Sequence, residues 1–120
     1  RRIPSAKRKP RSQQAGKVFA DIGRLASFRI RNETIRRYLI YITDGEMQRY
    51  FRNARNGLEW FLDAEIGRET PLDLDRLKGL SATFQKNAGE IEPQTSITLV
   101  SGAELPAHVL RICEIRPGHR

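Results

Sequence analysis

The sequence predicts one α+β domain, mostly helical, preceded by a basic arm, and three observations carry that expectation. The chain has 120 residues, enough for a single modest core. Its charge is segregated along the chain. Two short alternating runs, at residues 27–31 and 96–100, stand among stretches with helical spacing of apolar residues.

The net charge is +8, from 22 Lys plus Arg against 14 Asp plus Glu. Residues 1–17 hold seven basic residues and no acid, 18–57 eight basic and four acidic, and 58–115 five basic and ten acidic. A basic half of this kind is the electrostatic footprint of a phosphate-backbone binder. No run approaches the roughly 20 apolar residues that a membrane span requires, so no membrane partner is expected. The lone Cys113 excludes a disulfide scaffold and a Cys-built zinc site, and fits a reducing compartment. The chain begins at Arg1, without an apolar signal-type start, and reads as a fragment of a longer protein.

Residues 1–17 are expected to be a disordered basic arm or linker, because Pro4, Pro10, Ser12, Gln13, Gln14 and Gly16 accompany the charges and Ile3 is the only large apolar residue. The folded domain is placed at 18–120. Ser27 to Arg31 alternates strictly, with Phe28 and Ile30 on one face and Ser27, Arg29 and Arg31 on the other, which predicts a half-buried strand with a cationic outer side. Ile35, Tyr38, Leu39 and Ile42 fall at i, i+3, i+4 and i+7, predicting a short helix that shows Arg36 and Arg37 opposite, although Tyr38 to Ile42 is also β-friendly.

Thr43-Asp44-Gly45-Glu46 reads as a capping box opening a long helix that Gly67 closes, and Thr70-Pro71 as the start of another ending at Asn87-Ala88-Gly89. Ser96 to Val100 reads as a second strand with Ile97 and Leu99 inward and Thr98 outward. Ser101-Gly102-Ala103-Glu104 resembles a second capping box, so 101–115 is expected to be a helix. The rival is a hairpin turning at 101–106, since His108 to Ile115 is rich in β-branched residues.

No catalytic grouping emerges. The glycines form no phosphate-cradling loop, His108 and Cys113 are not a nucleophile pair, and Glu59, Asp63 and Glu65 read as a solvated face. The chain is expected to be neither an enzyme nor a cofactor or metal binder.

The order strand, helix, tight turn, helix matches a ribbon-helix-helix arrangement. There a two-stranded antiparallel ribbon enters the major groove and the next helix start clamps the phosphate backbone. The second strand-and-capping-box unit at 96–112 suggests a single-chain pseudo-twofold version, pairing 27–31 with 96–100. Duplex DNA would then be held by Ser27, Arg29, Arg31 and Thr98 in the groove, by Thr43 and Gly45 at the helix start, and by Arg36, Arg37 and the arm residues Lys7, Arg8, Lys9, Arg11 and Lys17 on the backbone.

The run Arg8 to Lys17, the run Ser27 to Arg37 and the run Ile97 to Pro117 resemble the C-terminal domains of the second proteins of the virulence C operon on Agrobacterium tumour-inducing plasmids. The resemblance spans the whole chain. It implies a ribbon-helix-helix virulence protein of the bacterial cytoplasm that binds double-stranded DNA at the T-DNA border or its enhancer. It also implies a relaxase and a ParA-like ATPase as partners in T-DNA transfer, the process behind crown gall tumours. The alternatives are a basic-armed nucleoprotein or capsid-type subunit that packages nucleic acid, and a protein-docking role for the acidic region 58–92.

Overall fold

In the computed structural model, which describes residues 10–29, 34–62 and 65–118, the first element is a helix rather than an arm. Helix α1 runs Arg11–Ser27 and buries Ala15, Gly16, Phe19, Ile22, Gly23 and Ala26. These positions recur at helical spacing and define one face. Strand β1 (Arg37–Asp44) follows, then helix α2 (Gly45–Arg52), a 3-10 turn (Ala54–Asn56) and the one-turn helix α3 (Glu59–Leu62). The short strand β2 (Glu69–Pro71), helices α4 (Leu74–Lys78) and α5 (Ala82–Ala88), and strands β3 (Ser96–Glu104) and β4 (His108–Arg116) complete the chain.

The strands form one antiparallel sheet in the order β1-β4-β3-β2. Leu39 on β1, Cys113 on β4 and Leu99 on β3 stand side by side, as do Arg37, Ile115 and Ile97. Leu39, Cys113, Ile115 and Ile97 point into the core, where they join Phe19, Ile22, Phe51, Leu58, Phe61 and Phe84 from the helical side. Phe19 is the hub: its ring centroid lies 4.8 Å from Phe61 and 5.5 Å from Phe84. The opposite face of β1, with Tyr38, Ile40 and Ile42, is exposed. The result is a two-layer α+β arrangement.

This overturns the ribbon-helix-helix expectation, because the sheet has four strands and the expected ribbon is absent from it. Ser27 is the last residue of α1, and Phe28 caps that helix by donating its N–H to the carbonyls of Arg24 and Leu25 at 3.0 and 3.3 Å. Phe28 is 55% exposed and not a core residue. Ile30 and Arg31 lie outside the described residues, and β3 pairs with β4 and β2, not with 27–29. The pseudo-twofold pairing therefore has no counterpart.

The expected 35–42 helix is strand β1. Its Tyr, Ile and Thr content suits a pleated surface, and β4 supplies register partners for every residue from Arg37 to Asp44. In place of the expected 101–115 helix there is a hairpin, as in the rival reading, but it turns between Leu105 and His108, with 101–104 still in β3 and His108 onward in β4. Leu105 and His108 exchange backbone hydrogen bonds of 2.8 and 3.4 Å around Pro106-Ala107. Pro106 suits such a turn because its fixed φ costs nothing there, whereas inside a helix it would remove a hydrogen bond and clash with the preceding turn. The 96–100 strand is present within β3, with a bulge between Leu99 and Ser101.

The long helix expected after Thr43 is broken. α2 ends at Asn53, whose extended backbone interrupts it, and Gly57 adopts φ 69°, a left-handed conformation that favours glycine. The helix expected from Thr70 is likewise split: Thr70-Pro71 lies in β2, Asp73 caps α4 and Ser81 caps α5. Residues 1–9 of the expected arm lie outside the described residues, while Arg11 to Lys17 form the first turns of α1.

Candidate nucleic-acid interface

Several of the expected DNA contacts are already engaged within the fold. Ser27 and Arg29 lie at and just beyond the end of α1, both exposed. The Arg29 guanidinium donates to the carbonyls of Ala26 and, at 3.1 Å, Phe28, and sits 3.5 Å from the Glu92 carboxylate. Arg36 makes a two-pronged contact with Glu114, at 3.1 and 3.2 Å, and lies 5.8 Å from the Tyr38 ring centroid. Hydrogen bonds from Arg36 hold the Glu114 carboxyl below its ordinary range, and the same contact raises Arg36. Arg37 turns toward the chain, donating to the Phe28 carbonyl at 2.7 Å and the Ile35 carbonyl at 3.4 Å. Arg11 is paired with Glu46. Lys17 is exposed on α1. Lys7, Arg8, Lys9 and Arg31 lie outside the described residues.

The start of α2 is an anion site already filled by the chain. Asp44, not Thr43, is the N-cap: its carboxylate accepts the Met47 N–H at 2.8 Å, and Glu46 occupies the first turn. A phosphate approaching Gly45 would meet both carboxylates. Thr43 is buried and its hydroxyl accepts a hydrogen bond from Gln48, so it offers nothing to solvent. Thr98 is half-buried on β3, beside Glu69 and Glu114 in the ladder. Arg29 and Arg37 meet at the Phe28 carbonyl, and Thr98 stands beside the Glu114 that holds Arg36, while Thr43 and Gly45 lie at the other end of β1.

A different group of cations lies close together along the chain. Arg49 and Arg52 occupy i and i+3 on α2, outside the face that buries Met47, Gln48 and Phe51, and are therefore neighbours. Asn53 ends the helix, its side chain accepting the Arg55 N–H at 3.0 Å, and the 3-10 turn carries Arg55 onward. All three arginines are exposed. Their guanidinium groups have no carboxylate partner among the described residues, whereas Arg11, Arg24, Arg29, Arg36, Arg68 and Arg76 are each paired with one.

The signal for this row is present in the sequence. Met47 to Leu58 contains three arginines and no acid. An unbroken helix over this stretch would rotate Arg55 away from Arg49; the break at Asn53 sets its actual direction. Among the described residues no group of three or more His, Cys, Asp or Glu side chains is placed to hold a metal ion. The chain matches no family model, no curated protein and no solved structure.

Proposed function

We propose that the chain binds nucleic acid, with double-stranded DNA the leading target, through the cationic surface of α2 and the turn after it. The observation that carries this reading is that Arg49, Arg52 and Arg55 are all exposed and, among the described residues, make no ion pair. A guanidinium presents a planar fork of donors that matches phosphate oxygens, and it is weakly hydrated, so a row of them suits a polyanion better than lysines would. Phosphate contact of this kind positions a duplex without reading its sequence. The basic residues Arg1, Arg2, Lys7, Arg8 and Lys9 would add backbone contacts from the N-terminal side.

The test is fluorescence anisotropy with a labelled 20-base-pair duplex, comparing the full chain with Arg49→Gln/Arg52→Gln/Arg55→Gln. Three neutralised phosphates contribute a salt exponent of about 2.7, so at roughly 0.1 M salt their loss weakens binding by two to three orders of magnitude. Unchanged affinity in the triple variant would remove α2 as the interface. Recognition of transfer-border DNA, which the resemblance implies, would require base contacts in addition to these phosphate contacts. A border-bearing duplex would then compete better than a scrambled one of equal length. The packaging alternative separates by deleting residues 1–9: complete loss of binding favours it, and partial loss favours α2. Deleting 1–17 would be uninformative, because it removes buried Ala15 and Gly16 from α1.

A further inference from the structure

We infer that β1 is the docking edge for a second copy of this chain, paired antiparallel about a twofold axis at Ile40. β1 ends the sheet, with β4 on one side only. Its outward-directed backbone groups have no backbone partners among the described residues. Such an edge is a template for another strand. Proline, lysine and a bulge, the usual safeguards, are all absent from Arg37–Asp44.

The side chains fit the same conclusion. On the solvent face Tyr38, Ile40 and Ile42 are 43%, 63% and 59% exposed. Ile112 and Leu110 of β4 stand beside Ile40 and Ile42 and widen the apolar strip. An apolar strip of this kind has little to offer a polyanion, so the inference does not rest on DNA binding.

Charge selects the register. Directly opposed residues in an antiparallel pair share a face, so outward residues must meet outward residues. Centring the pair on Ile40 opposes Ile40 to its counterpart, Tyr38 to Ile42 of the second copy, and Arg36 to Asp44 of the second copy. Centring on Tyr41 would oppose Tyr38 to Asp44, and centring on Leu39 would oppose Arg36 to Ile42; neither matches charge. Cross-strand opposite charges and aromatic–aliphatic pairs both stabilise a ladder. The Arg36 side chain is 70% exposed while it holds Glu114, so its remaining donors can take a second carboxylate.

Sedimentation velocity of the full chain from about 1 to 100 µM tests the association, since a two-copy assembly responds to concentration. Wild type is expected to dimerise across that range. Ile40→Lys opposes two like charges at the axis and is expected to weaken the dimer at least about tenfold. Ile66→Lys, at an exposed apolar residue away from β1, should leave association unchanged.

The register is tested separately by mild oxidation with diamide. Ile40→Cys should form a covalent dimer. Ile42→Cys should not, because its two copies would sit roughly 13 Å apart along the strands, beyond disulfide reach. Native Cys113, 3% exposed, supplies no background. A wild type that stays monomeric throughout, an Ile40→Lys that still dimerises, or an Ile42→Cys that cross-links as readily as Ile40→Cys would each overturn the inference.

Discussion

Replacing Phe19 by Ala removes the centre of the core and tests whether residues 11–27 really form a packed helix. Phe19 is 0% exposed, and its ring meets Phe61 at 4.8 Å, Phe84 at 5.5 Å and Trp60 at 6.2 Å between centroids. Losing a buried Phe side chain costs about 3–5 kcal/mol, from lost transfer energy and from a cavity the surroundings only partly fill. The rings come from α1, α3 and α5, and the α1 and α5 backbones pack on each other and resist collapse, so the upper part of that range applies. Against a total stability of about 5–15 kcal/mol this is a large fraction. For a chain of this size each kcal/mol shifts Tm by roughly 3–5 °C, giving a drop of about 10–25 °C. The assay is thermal and urea unfolding followed by circular dichroism, with Phe28→Ala as the comparison. Phe28 is 55% exposed, so its truncation should cost within about 0.5 kcal/mol. If Phe28→Ala were as costly as Phe19→Ala, the alternating 27–31 strand would be the better account and the α1 packing would be wrong.

Two further predictions come from the same core. Gly16→Ala gains helix propensity of about 1 kcal/mol, yet its new Cβ would lie 2.8 Å from the Phe84 carbonyl oxygen and 2.9 Å from Asn87 Cβ. Forcing α1 off α5 costs more than the propensity returns, so a net loss of roughly 1–2 kcal/mol is expected in urea unfolding, and a more stable variant would refute that contact. Gly23→Ala meets the Glu90 carbonyl at 3.1 Å and should be the milder of the two. Burial pushes the Cys113 thiol up to about 11 and also raises Tyr41. The unfolded chain therefore loses the thiol proton first, near its ordinary 9.0. Stability is fully present below that pH and falls as pH rises through about 11. Urea midpoints across this window should decline less steeply in Cys113→Ala, and an identical decline would remove the thiol as the cause.

What the sequence makes legible here depends on the signal each element carries. The 96–100 strand is readable because Ile97 and Leu99 alternate with polar residues. The start of α2 is readable to within a residue, since Thr43-Asp44 offers adjacent capping side chains and only the structure shows that Asp44 accepts the Met47 N–H. α1 is obscured because its buried face includes Ala15, Gly16, Gly23 and Ala26, small residues of low hydropathy, of which Gly16 allows close approach to α5 and Gly23 to Glu90 just beyond it. β1 is obscured by coincidence of period: Ile35, Tyr38, Leu39 and Ile42 satisfy helical spacing, and only the eight-residue ladder with β4 decides for the strand. The alternation at Ser27 to Ile30 is real in the sequence, but α1 extends into it and leaves Phe28 exposed at the helix end. Arg29 and Arg36 look free in one dimension, and tertiary structure brings them Glu92 and Glu114 from more than sixty residues away.

The salt dependence of duplex affinity distinguishes most directly between Arg49, Arg52 and Arg55 as the phosphate contacts and the carboxylate-paired Arg29 and Arg36. Two variants are compared with wild type: Arg49→Gln/Arg52→Gln/Arg55→Gln, and Arg29→Gln/Arg36→Gln. The first should lower the slope of log affinity against log salt by about 2–3, roughly 0.9 for each lost phosphate contact, and the second by less than about 1. A slope unchanged by the first pair of measurements and reduced by the second would contradict the account and return the interface to the residues flanking the end of α1 and the start of β1.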